Sequence, residues 1–418
     1  MRQDLHDLLL SRAVSERAET APPPSHHGML SARLSERVQR LSSAGAPAAF
    51  GAGLVALAGV VTATLVARAT GTLGTPYIPR GDWRPAWWVG IIVSFSAYAV
   101  GVLLLSLGPS AGRGKAFALA VAIQVIPLAT PMILSADTRA YTQMAESPHP
   151  YGEGQSVYGP LWTAISRVVA YVGHPIFVHR LIACACVLAI TAMASRLAQR
   201  KALAIAFVGW NPLIAFHFSS AGHNDAVMTA LAVGGITLAA SGRAEAGGAA
   251  WIASFFIKFT TAPIYLLWAI ERWRRGLAIG IAGAAAAAVA ILGLSYGLYG
   301  WSWIDAFSNL HHVERQPGSF FWAWIREATG ISYAHERTVS YLAEIAALAF
   351  FGFQAWRSRL RLGLAAGVLT LVAPHINAWY LILPVALSAA DDDDRWGKAL
   401  ALALCGVMFM DVLTGLPA

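Results

Sequence analysis

The sequence predicts an all-α polytopic membrane protein. Three observations predict it: a mean hydropathy of +0.55, a charged fraction of only 12% in 418 residues, and apolar residues gathered into long runs. A helix needs about 20 apolar residues to cross roughly 30 Å of hydrocarbon. The stretches Ala48 to Ala67, Ala86 to Leu107, Ala116 to Leu134, Ile176 to Ala194 and Leu277 to Leu298 meet or approach that length. The longest polar pieces are the first 47 residues and the segments Asp137 to Pro175 and Gly300 to Thr338, so no soluble catalytic domain is left over.

The formal charge of +8 and a pI near 9.6 do not read as a nucleic-acid surface, because Lys and Arg are dispersed at the ends of apolar runs. Residues 1–47 read as a disordered basic cytoplasmic arm. They do not read as a secretory signal, since the first apolar run begins only near Ala48, after Arg-rich and Pro-rich sequence. Residues 48–418 form the transmembrane domain. Alternating crossings from a cytoplasmic arm put 20 of the 30 basic residues inside and 8 in outer loops, with Arg180 and Lys258 at membrane depth. That bias sets the orientation: N-terminus cytoplasmic, working face extracytoplasmic, with outer loops over 136–175 and 299–338. Cys184 and Cys186 read as ordinary buried thiols rather than a disulfide framework.

Two stretches must break to keep the pattern. Ala249 to Ile270 is flanked by Arg243 and by Glu271 to Arg275, so a hairpin of short helices is expected to turn near Lys258 to Pro263. Pro374 to Asn377 likewise separates Leu362 to Ala373 from Ala378 to Ala389. Non-helical backbone at membrane depth needs protein or a water-filled cavity to satisfy it, which points to a cavity open to the outside. The resulting count is about 13 transmembrane segments with the C-terminus outside. The run Ala164 to Val172 is too short to span and reads as interfacial.

The polar residues on the outer side fall in five places. Asp137 falls where the third apolar run ends, and a base there could deprotonate an acceptor hydroxyl; beside Arg139 it could equally be a helix cap with a surface ion pair. His223, Asn224 and Asp225 follow Gly222 at the start of a helix, where the dipole favours an anion; Asn224 or Asp225 could instead simply cap that helix. Lys258 at membrane depth suits a phosphate, with snorkelling as the competing account. His311, His312 and Arg315 lie in the large outer loop, and His375, Asn377, Trp379 and Tyr380 at the late break. Asp391 to Asp394 resemble a metal cluster by composition but read as a solvated cytoplasmic turn. No metal motif and no outer Asp-x-Asp is present, so the reading includes no metal and no other cofactor.

Together these patches resemble the polyprenol-phosphate-mannose-dependent mannosyltransferases of the GT-C superfamily. Three stretches carry the resemblance in order: Asp137 to Tyr141 with Pro150-Tyr151 and Tyr158-Gly-Pro-Leu-Trp162; Asn211-Pro-Leu with Gly222-His-Asn-Asp225-Ala; and Pro374-His-Ile-Asn-Ala-Trp-Tyr380. The resemblance implies a GT-C-like bundle in the inner (plasma) membrane, acting on the cell envelope. It implies a polyprenyl-phosphate-linked sugar donor, mannose by family, and a glycan or glycolipid acceptor, with the lipid bilayer as setting and no nucleic acid. Asp137 would be the general base of a single inverting displacement. His223, Lys258, His375 and Arg315 would stabilise the departing lipid phosphate, and Asn224, Asp225 and Asn377 would position sugar hydroxyls. Arg139, Tyr141, Tyr158, His311, His312, Trp379 and Tyr380 complete the substrate-binding set. Acceptor and linkage stay open. A transporter or flippase of lipid-linked sugars is the alternative, since broken helices and intramembrane Lys and Arg also mark transport paths, and a non-catalytic assembly protein is a third reading.

Overall fold

A computed structural model of the chain describes residues 26–70, 83–108, 112–152, 156–313 and 320–414, and every regular element among them is helical. Residues 1–25 of the expected basic arm lie outside the described residues. In chain order the main helices are α1 (His26–Thr70), α2 (Arg84–Leu107), α3 (Arg113–Val125), α4 (Asp137–Glu146), α5 (Pro160–Ala170), α6 (Pro175–Leu197), α7 (Lys201–Gly209) and α8 (Pro212–Ile214). They continue as α9 (Asp225–Ala240), α10 (Ala244–Ile257), α11 (Ala262–Arg274), α12 (Ile281–Tyr299), α13 (Asp305–Val313) and α14 (Phe320–Thr329). The last four are α15 (Tyr333–Trp356), α16 (Leu362–Val372), α17 (Ile382–Ala390) and α18 (Arg395–Thr414).

Among the described residues five helices are long and apolar enough to cross a membrane: Gly45–Thr70 within α1, then α2, α6, α12 and α15. Four of them coincide with expected apolar runs. The run Ala116 to Leu134 does not form a full span: α3 stops at Val125 and a 3-10 turn, Ile126–Ala129, takes over. Pro127 explains it, because its ring cannot continue an α-helix and supplies no N–H. The bent pair Lys201–Gly209 and Pro212–Ser220, with an angle of 43°, raises the number to six, against the 13 expected segments. Four further apolar helices, of 10–17 residues, fall short of that length.

The bend at Asn211-Pro212 shows how a broken helix is satisfied inside the bundle. Asn211 Oδ1 accepts from the N–H groups of Leu213 (3.0 Å) and Ile214 (3.4 Å), capping the next turn. Gln124 Nε2 donates to the Gly209 carbonyl (3.0 Å), and the Tyr98 hydroxyl to that of Phe207 (2.9 Å). Asn211 is therefore a structural residue. Past it the chain runs as a π-helical turn, Ala215–Ser220, a geometry that recurs at functional sites.

Both expected breaks are present. Lys258 is extended between α10 and the 3-10 turn Phe259–Thr261, and Asn377 is extended between α16 and the turn Ala378–Leu381. The aspartate run, read from composition as a solvated turn, is a capping hub. Asp394, only 1% exposed, accepts from Leu364 N and Gly397 N at 2.9 Å each. Asp392 accepts from the N–H groups of Gln199 and Arg200 where α7 begins. The aspartates face helix N-termini, whose free N–H groups and positive dipole ends attract carboxylates.

Candidate active site

Asp137 is the first residue of α4, with its own N–H bonded to Ser135 Oγ (3.1 Å). Its carboxylate neither caps α4 nor pairs with Arg139. Instead, Oδ2 receives three donors, two from other parts of the chain and one from the next turn of α4: His223 Nδ1 at 3.0 Å, the Tyr158 hydroxyl at 3.3 Å and the Tyr141 hydroxyl at 3.4 Å. A carboxylate only accepts, so the imidazole proton sits on Nδ1. No hydrogen bond reaches Oδ1 among the described residues, and the side chain is 27% exposed against 0% for His223. One oxygen is anchored and the other is open.

Two glycines make this convergence possible. Gly222 has φ +76°, and a Cβ there would stand 2.5 Å from Thr138 Cγ2. The Gly222-His223 turn can thus press directly against α4. At Gly159 a Cβ would fall 2.0 Å from the Phe256 carbonyl oxygen, and the Gly159 N–H bonds to Ile257 O at 3.1 Å. This docks the Tyr158 segment beside the Lys258 break.

Around the carboxylate the other expected residues assemble. Tyr141, fully buried against Trp162 and Tyr158, accepts from the Asn224 N–H (3.2 Å). His223 stacks on Trp379, with ring centroids 3.9 Å apart and planes 13° from parallel, so Trp379 fixes the imidazole plane. Lys258 Nζ lies 2.8 and 3.0 Å from the two Asp225 oxygens and 4.3 Å from the Tyr380 ring centroid. It is held by a buried ion pair and a cation–π contact rather than snorkelling. Asp225 uses its carboxylate on Lys258, and neither its side chain nor that of Asn224 caps α9. Asn377 Nδ2 meets His375 Nε2 at 2.8 Å.

Not every expected residue joins. Arg139 lines a separate cavity on the other face of α4. His311 and His312 lie on α13, Arg315 outside the described residues.

Burial alone would raise the Asp137 carboxyl. The His223 imidazole, through charge and hydrogen bond, then the Lys258 ammonium and the Ser135 hydroxyl outweigh it and hold the carboxyl at about 2. The group is a carboxylate throughout the neutral range.

Beside it, several buried polar atoms have no hydrogen-bond partner among the described residues: both ring nitrogens of His217, His223 Nε2, the Asn224 amide and His375 Nδ1. Such atoms are costly to bury unpaired and mark where hydroxyl groups or water can bind. His217, 5.9 Å from the His223 ring, was not among the residues expected from sequence, nor was Ser135. An apolar flank hides a histidine such as His217, and only its buried, unpartnered nitrogens expose it.

With this geometry established, comparison with known proteins adds the family. No curated protein and no solved structure matches the chain. Residues 144–305 match the model of the MptA_B family, described as alpha-(1->6)-mannopyranosyltransferase, N-terminal domain. The matched stretch holds Tyr158, His223, Asn224, Asp225 and Lys258, while Asp137 and residues 375–380 flank it. The match spans 162 of the 418 residues, and over that stretch the chain is similar to a family of mannosyltransferases.

Proposed function

We propose that the protein transfers a mannosyl group from a polyprenyl-phosphate carrier to a glycan or glycolipid on the extracytoplasmic face of the inner membrane, with inversion and with Asp137 as general base. The observation that carries this reading is the Asp137 carboxylate, anchored through Oδ2 by three donors and open at Oδ1 beside a buried cation. In the proposed step the acceptor O–H gives its proton to Asp137 Oδ1 as the oxygen attacks the anomeric carbon. The bond from that carbon to the phosphate oxygen breaks, and its electron pair leaves on the lipid phosphate. Lys258, with His375 in range of its charge, supports the negative charge that develops there. The unpartnered atoms of Asn224, His217 and His223 supply partners for sugar hydroxyls.

The orientation rests on the positive-inside bias, and the short and broken helices serve as the remaining membrane segments. The deciding experiment incubates purified protein in detergent with radiolabelled polyprenyl-phosphate-mannose and a membrane extract as acceptor. Inverted transfer by wild type and its loss in Asp137→Asn support the reading. Full transfer by Asp137→Asn removes the base from the mechanism, and translocation without transfer replaces the enzyme with a flippase.

A further inference from the structure

A cavity of about 780 Å³ lies behind α4. It is lined by Arg139, Thr142 and Gln143 of α4, by Leu128, Ala129 and Met132 after the Pro127 break, and by His174, Ile176, Phe177 and Arg180 where α6 begins. No residue that contacts the Asp137 carboxylate lines it. Helix geometry gives the reason. At about 100° per residue, Tyr141 lies about 40° around α4 from Asp137, whereas Arg139, Thr142 and Gln143 lie about 140° to 240° around it. One helix therefore faces the reacting centre with one side and the cavity with the other.

The lining is amphipathic. Ala129, Met132, Ile176 and Phe177 are apolar, and the cavity sits at the end of α6, one of the candidate spans. Its polar part is cationic. Arg180 is only 4% exposed and pairs with no carboxylate among the described residues; its Nε and Nη2 donate to the carbonyls of Ser219, Pro127 and Leu128 at 2.9 Å each. Carbonyl dipoles solvate the guanidinium but leave its net charge uncancelled at a site where a charge is expensive. Arg139 also lines the cavity, from the face of α4 turned away from Asp137. The first turn of α6 adds N–H groups, since His174 makes no side-chain cap bond and Ile176 and Phe177, both at the cavity, follow Pro175. An apolar chain attached to an anion matches this set.

We propose that the cavity binds the membrane anchor of the acceptor, the apolar chain and phosphodiester of an anionic lipid-linked glycan. The inference rests on the proposed transferase reading for the word acceptor. In a phosphate-linked donor the reacting carbon is bonded directly to the phosphate oxygen, so the donor phosphate must lie next to Asp137. A helix with side chains is about 10 Å thick. An anion behind α4 is too far for the donor phosphate but suits an acceptor whose reacting hydroxyl is separated from its anchor by sugar residues.

The test uses full-length protein, delipidated in detergent, and three probes: dioleoylphosphatidylglycerol, dioleoylphosphatidylcholine and inorganic phosphate. Native mass spectrometry and the shift in Tm read binding. The anionic lipid is expected to bind saturably and raise Tm, and the zwitterionic lipid and free phosphate to do neither. Ala129→Phe fills the cavity from an exposed position and should weaken the anionic lipid at least tenfold. Arg139→Gln, also at an exposed position, should weaken it several-fold. In transfer assays Ala129→Phe should raise the acceptor KM with kcat and donor KM unchanged.

Equal binding of the two lipids, saturable binding of phosphate alone, or anionic-lipid binding indifferent to both variants overturns the proposal. A rise in donor KM instead assigns the cavity to the donor chain and also overturns it. The binding arms contain no donor, and Asp137→Asn should bind the lipid as wild type does. Lipid binding without any transfer therefore sinks only the transferase reading, and transfer without lipid binding sinks only this one.

Discussion

Asp137 and the Asp391–Asp394 turn stand at opposite ends of α6, and their carboxylates are engaged in different ways. Asp394 uses both oxygens on backbone N–H groups at helix starts and is buried. Asp137 uses one oxygen on three side chains, two of them from other segments, and keeps the other open. In the turn, all four consecutive aspartates contact helix starts or Arg361, and these contacts tie α7, α16 and α18 together. At the outer cluster, residues more than 200 positions apart meet around one acid. The lesson is that the density of acidic residues does not locate chemistry. The kind of partner does, because backbone partners leave an acid no free valence, whereas side-chain partners on one edge leave a reactive edge.

Replacing each group should separate the two roles. Asp137→Asn is expected to lower transfer roughly 100-fold to 10,000-fold, the usual contribution of a general base, with Tm changed little; transfer kinetics and a melt on the same preparation check both halves. Lys258→Ala leaves Asp225 buried without its cation and should cost about 3–5 kcal/mol of stability, read as a large fall in Tm. If Lys258→Ala instead left Tm untouched while activity fell, the pair would be catalytic rather than structural. Asp394→Ala removes caps from two helices and should cost about 1–4 kcal/mol, while kcat per folded molecule stays at the wild-type level. Loss of kcat there would erase the contrast between the two regions.

The pH profile sharpens the same contrast. The Asp137 carboxyl, held at about 2 against an ordinary 3.8, stabilises the fold fully above about pH 4 and loses that contribution as pH falls through 2. Between pH 5 and 8 it stays ionised, so it adds no acid limb to kcat/KM in wild type. In His223→Gln the largest of the influences that lower it is gone while burial remains, so the carboxyl should rise and an acid limb should enter the profile. An unmoved profile would show that His223 does not set the acid's ionisation. The smallest effect belongs to Trp379→Leu, which removes the stacked partner of His223, worth about 0.5–1.5 kcal/mol, and should lower kcat about twofold to tenfold.

Much of the architecture was legible in the residues. Four of the five long apolar runs are full-length helices, and the breaks at Lys258 and Pro374 to Asn377 lie where flanking charge and proline put them. The run ending at Leu134 was misjudged, because hydropathy averages over Pro127 while backbone geometry does not. Asp137, His223, Lys258 and Trp379 were each named, yet their pairing was not. Asp225 illustrates why: it was expected to face a sugar and instead holds Lys258, a partner 33 positions away that no local spacing reveals.

The sequence by itself determined that the chain is helical and membrane-embedded, since long apolar runs in a solvent without hydrogen bonds leave the backbone little else to do. It also determined where the helices must break, through proline, asparagine and charge. Only the tertiary structure decided which aspartate is open and which is a cap, and that α4 divides a reacting centre from a second, cationic cavity. Those are properties of contacts between distant segments. They depend on two glycines that let backbones touch and on the side of a helix each residue falls, neither of which composition records.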